Sequence, residues 1–270
     1  MRNRRRSSGG AARRALVALL GLCAAALASC AGPAATGSAP ATAPLEAYRA
    51  VLGHNAGLST MRAVVEARIA YAGREVSLPG VLLLDGLEGF RLELLDPLDR
   101  PVTVFFAEER RITQYRPAQQ LGSSLGVFRD ECVAVDPGDW VAAVLGASRA
   151  PVAGETVLER GVWGGDRVLE RYRAKTLYES VRYRVRDGKA EAAVISWFCG
   201  EDAVMRLRLR GWVGVEPWRF PTTLELEYPL ARLTVRLDLR EIEGNPPPVD
   251  PRLRQRPGPE TRWTRWNLPQ

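Results

Sequence analysis

The chemistry open to this chain of 270 residues is bounded by a short supply of bases and nucleophiles: one histidine, His54, and four cysteines, at positions 23, 30, 132 and 199. A Ser-His-Asp triad leaves everything to that one imidazole, and a histidine-rich metal site needs several. Neither is expected. Cys132 and Cys199 form no Cys-x-x-Cys pair and have no neighbouring histidine to lower a thiol pKa, so neither reads as a reactive sulfur. No glycine-rich phosphate loop follows a strand, and Gly161-Val162-Trp163-Gly164-Gly165 reads as an irregular hairpin turn. Carboxylates are numerous enough to supply a glycosidase-like pair. On the legible strands, however, most of them alternate with apolar residues on the face that should meet water. The sequence therefore predicts no enzyme, no metal site and no bound cofactor.

The cysteine with a chemical role is Cys30. Six arginines (Arg2, Arg4, Arg5, Arg6, Arg13 and Arg14) and no acidic residue precede an apolar run from Ala15 to Ala28, the charged-then-apolar layout of a secretory signal. The run is 14 residues long, and crossing a bilayer takes roughly twenty, so residues 1–29 are expected to be a cleaved leader and not a permanent span. The run ends in Leu27-Ala28-Ser29-Cys30, which resembles the lipobox of bacterial lipoproteins. That resemblance implies a peptidase cleft that accepts the small residues and a Cys30 thiol that takes diacylglycerol before cleavage. The covalent lipid is then the one non-protein group expected. Cys23 follows the bulky Leu22 and reads as a hydrophobe within the leader.

Removing the leader changes the electrostatics. The whole chain carries 38 basic against 31 acidic residues, but six of the basic ones and none of the acidic ones precede Cys30, which leaves the remainder at +1. The argument for a nucleic-acid partner goes with them. The oxidising compartment that an exported chain enters makes a Cys132–Cys199 bridge plausible, and closing a loop of that length would stabilise the fold by roughly 4 kcal/mol. Two buried free thiols remain the alternative, because spacing alone does not bring two Cα atoms within bonding range.

These features must be carried by a body built mostly of strands. Ala31–Pro44, AGPAATGSAPATAP, has almost nothing to bury; residues 30–44 read as a tether that spans roughly 20 Å as a coil and about 45 Å when stretched. A short helix is expected over Leu45–Gly53, where Leu45, Tyr48, Val51 and Leu52 share helical spacing. Thereafter period two dominates. In Arg232–Arg240 the residues Leu233, Val235, Leu237 and Leu239 take one face and polar groups the other; Phe90, Leu92 and Leu94, then Met205, Leu207 and Leu209, then Leu224, Leu226 and Tyr228 do the same. Further strands are expected near 63–72, 76–84, 102–107, 110–115, 167–173, 181–187 and 192–198. So many one-faced strands joined by Asp-Gly turns predict a meandering antiparallel sheet that must roll up. A second helix should follow Asp136, with Pro137 in its first turn, an apolar stripe of Trp140, Val141, Val144 and Leu145, and Gly146 at its end. The expected fold class is mainly β (α+β): an unclosed antiparallel β half-barrel under a short helical lid. The body is expected to span 45–243. Residues 244–270 form a Pro/Arg-rich tail with prolines that exclude helix and interior strand, and its Trp263 and Trp266 are expected to pack on the protein's own barrel, a membrane interface being the alternative.

The most informative segment is FRLELLDPLDRPVTVFF, Phe90–Phe106. Asp96 and Pro97 favour a tight β-turn that leaves Leu98 at its tip. With a Pro-Leu turn between two strands, a Trp-containing helix ending in Leu145-Gly146, late alternating strands and the lipobox, the mature chain resembles the LolA/LolB superfamily of lipoprotein carriers, the outer-membrane receptor LolB in particular. The resemblance implies an apolar cavity for the acyl chains of lipoproteins or other lipids, lined here by Phe90, Leu92, Leu94, Val104, Phe106 and Trp197. It implies that Leu98 enters the membrane to assist transfer, that a soluble periplasmic LolA-like carrier delivers the cargo, and that the protein is lipid-anchored in the outer membrane facing the periplasm. Ala31 after the lipidated cysteine fits that location, since aspartate there would hold an enteric lipoprotein in the inner membrane. Asp99 departs from the family pattern, in which glycine follows the leucine. The second reading is a structural or assembly lipoprotein with its barrel filled by its own side chains and a protein partner on its outer face.

Overall fold

The computed structural model describes Asn55 and residues 57–86, 89–108, 111–125, 137–161, 165–186, 189–229, 232–246 and 250–265. The leader, Cys30, the tether, the helix expected over Leu45–Gly53, His54, Cys132, Asp136 and Trp266 lie outside the described residues.

The alternating segments become long strands: β1 (Thr60–Tyr71), β2 (Arg74–Asp85), β3 (Gly89–Leu95), β4 (Pro101–Glu108), β5 (Arg111–Arg116) and β6 (Leu121–Leu125). After helix α1 (Pro137–Val144) come β7 (Glu155–Gly161), β8 (Arg167–Arg173), β9 (Thr176–Arg186), β10 (Lys189–Cys199), β11 (Asp202–Val215), β12 (Trp218–Tyr228), β13 (Leu233–Gly244) and β14 (Arg262–Arg265). They form one sheet of 14 strands in the order β14-β6-β5-β4-β3-β2-β1-β13-β12-β11-β10-β9-β8-β7. Every pairing is antiparallel except that of β14 on β6. The chain runs out to one edge and resumes at the other, so β1 pairs with β13 and the two outer strands, β7 and β14, leave the sheet unclosed. This is the expected half-barrel, with α1 the one α-helix among the described residues.

Register explains which face is the core. Ala63 pairs with Leu82, Leu82 with Leu92, and Leu92 with Phe105, a row that continues the concave face across four strands. On the other arm Ala67 pairs with Leu237, Leu237 with Leu224, and Leu224 with Leu209. These residues and α1 share one apolar cluster. Because side chains alternate along each strand, the neighbouring residues fall on the convex face: Val64, Val81, Glu93, Val104, Tyr115 and Gly122 align in one row there.

The helix ends where the sequence predicted. Ala147 N–H donates to the Ala142 carbonyl (2.8 Å) and Gly146 N–H to that of Ala143 (2.9 Å), the two bonds of a Schellman cap. Gly146 sits at φ +74°, and a Cβ there would lie 2.1 Å from the Trp212 ring. Both constraints demand glycine. Gly146→Ala is expected to destabilise the body by about 2 kcal/mol or more, from left-handed strain plus an overlap on an indole, as read by urea unfolding.

The folded body does not stop at 243. Past Gly244 the chain crosses the convex face: Pro251–Arg254 form a 3-10 turn, and β14 adds to the edge of β6. Arg252 pairs with Glu93 at 3.0 Å and the Gln255 carbonyl accepts from Arg91 at 2.9 Å. Proline excludes the segment from regular ladders, as expected, but its arginines fasten it to β3. Trp263 lies over Gly122, where an added Cβ would come within 2.5 Å of the indole, so this tryptophan packs on the protein's own sheet.

Candidate functional site

The concave face is built from strands and closed by one helix. Trp140 of α1 meets Phe90 of β3 edge-on, with ring centroids 6.4 Å apart. Leu92, Leu94 and Phe105 of the same arm and Trp197, Ile195 and Phe220 of the opposite arm belong to the cluster that α1 completes. Trp197 is 1% exposed and Phe220 0%. The hollow that the sequence implied is therefore occupied, in this state, by α1 and the protein's own side chains.

Four of the six residues proposed to line the cavity, Phe90, Leu92, Leu94 and Trp197, are on the concave face. Val104 and Phe106 are not. They pair with Glu93 and Arg91 and share the convex face with them, and the concave residue of β4 is Phe105, which the sequence reading passed over. Alternation misled because the segment VTVFF has its greater apolar content on the convex parity, where the C-terminal segment supplies cover.

The ends of α1 are held by polar groups. Asp139, in its first turn, is fully buried and accepts from Arg171 (2.9 Å) and from the Tyr178 hydroxyl (2.6 Å). Arg171 also pairs with Glu179 at 2.8 Å and lies 3.7 Å from Glu155. Arg173 hydrogen-bonds Glu155 and stacks on the Tyr178 ring at 3.6 Å. Ser148, just beyond the helix, donates to Glu179 at 2.7 Å. Burial pushes the Glu179 carboxyl up to about 7; Arg171 opposes this and the Asp139 charge reinforces it. Burial works upward on Glu155 too, but the hydrogen bonds from Arg173 and the Val152 amide hold it below its ordinary value. At the other end of α1, the Asn55 side chain donates to the Leu145 carbonyl at 3.0 Å. The expectation that strand carboxylates meet water fails here, because the concave ends of β8 and β9 carry charge to meet the N-terminus of the helix.

The turn between β3 and β4 has the predicted form. Asp99 N–H donates to the Asp96 carbonyl (3.0 Å), and the Asp96 carboxylate accepts from the Leu98 and Arg100 amides (2.8 and 3.0 Å). Leu98 is 70% exposed. Asp99 has φ +56°, the left-handed conformation that glycine adopts without steric cost. Cys199, at the end of β10, is disulfide-bonded.

Fold and site together define an unclosed antiparallel half-barrel with an apolar concave face roofed by a short, polar-anchored helix. No family model matches the sequence, and no curated protein matches it. Among solved structures, a DUF1329 family protein from Desulfovibrio piger superimposes with a TM-score of 0.54 at 14% identity, over 75% of this chain and 93% of its own. A domain assigned as an outer membrane lipoprotein-sorting protein from Vibrio parahaemolyticus gives 0.53 at 14% identity, over 75% and 92%. A LolA superfamily protein from Nitrosomonas europaea gives 0.49 at 14%, over 74% and 92%. The first two show that this chain shares their fold.

Proposed function

We propose that the protein is a lipoprotein of the cell envelope, anchored through Cys30 to the outer membrane and facing the periplasm, that binds acyl chains between its concave face and α1. It receives lipoproteins from a soluble LolA-like carrier and hands them to that membrane, as a binding protein and not an enzyme. The observation that carries this reading is the meeting of an extended apolar concave surface with one eight-residue helix held at its N-terminus by a compact set of charges. Magnitudes make displacement of α1 feasible. Breaking a buried ion pair costs about 3–5 kcal/mol and each sheltered methylene returns about 0.8 kcal/mol. Some six methylenes thus offset the latch, and the rest of a long chain replaces the contacts that α1 gives up.

The filled interior also favours the second reading, an assembly lipoprotein that uses its outer face. Native mass spectrometry of the anchor-free protein purified from membranes separates the two. The carrier is expected to retain phospholipid or lipopeptide; a clean apo mass supports the assembly protein.

A further inference from the structure

We propose that α1 is a proton-controlled lid, closed on the concave face while the Glu179 carboxyl is protonated and released from it when that carboxyl ionises. Glu179 lies on β9 between its register partners, Arg171 of β8 and Trp197 of β10, and is 1% exposed. Residues from both ends of the helix close on this place. Asp139, in the first turn of α1, and Glu179 bind the same nitrogen of Arg171, Nη2, at 2.9 and 2.8 Å, so two carboxyls face each other across one guanidinium. Ser148, just beyond α1, donates to Glu179 Oε2 at 2.7 Å. Lifting α1 takes Asp139 and Ser148 away together and admits water to Glu179.

Geometry decides which of the two carboxyls takes the proton. Asp139 has both oxygens bonded, Oδ1 by Arg171 and Oδ2 by the Tyr178 hydroxyl at 2.6 Å. Glu179 receives Ser148 and Arg171 on Oε2, and its Oε1 is buried with no hydrogen-bond partner among the described residues. A buried ionised carboxylate with one oxygen bare is the costlier of the two. The surrounding elements do not relieve it: Glu155 of β7 adds negative charge, Arg173 of β8 bonds Glu155 and stacks on Tyr178, Arg149 after α1 gives its carbonyl to Arg171, and β10 sets an indole beside it. Burial accordingly raises the Glu179 carboxyl to about 7, with Arg171 opposing and Asp139 reinforcing the rise. The advantage of the closed state is present in full below about pH 4.5 and is lost as pH rises through about 7. Use of the opening in cargo exchange rests on the carrier function proposed above; the motion itself does not.

The test reads hydrogen exchange in α1 and β13 of the anchor-free protein without cargo, at pH 5.5 and 8, corrected for the intrinsic exchange rate. α1 is expected to exchange faster than β13 at both pH values, because it opens while the sheet stays folded, and its opening is expected to rise at least about tenfold from pH 5.5 to 8. Glu179→Gln should abolish the rise, and Glu75→Gln, an exposed glutamate on β2, should keep it. Where the Gln variant fails to fold, Ser148→Ala serves: it takes a donor from the carboxylate, so the rise should steepen. Equal exchange in α1 and β13, α1 exchange that ignores pH, a rise that persists in Glu179→Gln, or one unchanged in Ser148→Ala overturns the lid. A phosphatidylcholine with a pyrenyl chain, which has no group titrating in this range, separates the lid from the carrier function. Faster uptake at pH 8 supports both; a pH-dependent opening with no uptake at either pH upholds the lid and removes the acyl-binding role.

Discussion

Arg171→Met is expected to cost the folded body about 3–5 kcal/mol at pH 8, whereas Glu179→Gln is expected to stabilise it there by about 1–3 kcal/mol. Around the N-terminus of α1, Asp139, Glu155 and Glu179 face Arg171 and Arg173, with the Tyr178 hydroxyl on Asp139. One negative charge is in excess, and the three carboxylates are nearly inaccessible. Removing Arg171 leaves buried carboxylates without their main counter-charge. Glu179 behaves in the opposite way because burial raises its folded pKa to about 7 from an ordinary 4.5. The folded state then keeps a proton that the unfolded chain releases. That contribution is present in full below about pH 4.5 and disappears as pH rises through about 7, a loss of roughly 3 kcal/mol. Glu155, held below its ordinary value, contributes in the other sense, but its stabilisation is lost only as pH falls below 4.5, outside this window. Urea unfolding at pH 5.5 and 8 checks the sign. The wild type should be the less stable at pH 8, and Glu179→Gln should flatten the difference; a Gln variant with an undiminished slope would sink the assignment. The same pair of variants bears on function, since a looser α1 in Arg171→Met should take up a fluorescent fatty acid faster.

The strands and α1 were legible because their evidence is local. Period-two alternation marks β3, β11 and β13, and Pro137, the apolar stripe and Gly146 mark the helix. What escaped depends on residues distant in sequence. β6, LGSSL, and β14, RWTR, carry no apolar alternation; they are strands because backbone partners reach them at the sheet edge, β5 and β14 for β6 and β6 for β14. β7 alternates only between half-buried and exposed positions as an outer strand. Arg91 and Glu93 look solvated beside Phe90, Leu92 and Leu94, and become buried because the chain returns some 160 residues later to cover them. The same cover moved Val104 and Phe106 out of the concave set. Arg171 and Glu179 likewise occupy core positions only because an acidic helix start arrives to meet them. Local alternation reports that a strand has two faces; which face is buried is decided by partners that alternation does not contain.

Leu98→Glu is expected to weaken binding of the anchor-free protein to liposomes by at least about thirtyfold and to slow lipoprotein transfer to them, with acyl binding unchanged. Moving one exposed leucine into an apolar phase is worth roughly 2 kcal/mol, and that energy corresponds to a factor of about thirty. The Asp96 carboxylate accepts from the Leu98 and Arg100 amides and so fixes the turn, with Leu98 exposed, which leaves no ordering cost for the expected encounter. Charge at the tip is partly cancelled: Arg100 pairs with Asp96 at 2.7 Å and holds its carboxyl below the ordinary range. Asp99 remains beside the leucine, and its φ of +56° is one that glycine tolerates better. Asp99→Gly should therefore strengthen liposome binding while keeping the turn. Val185→Glu, an exposed apolar position on β9, supplies the control. Equal losses at Leu98 and Val185 would reduce the effect to general surface hydrophobicity, whereas a loss confined to Leu98, reversed in sign at Asp99, locates membrane contact at the β3–β4 turn.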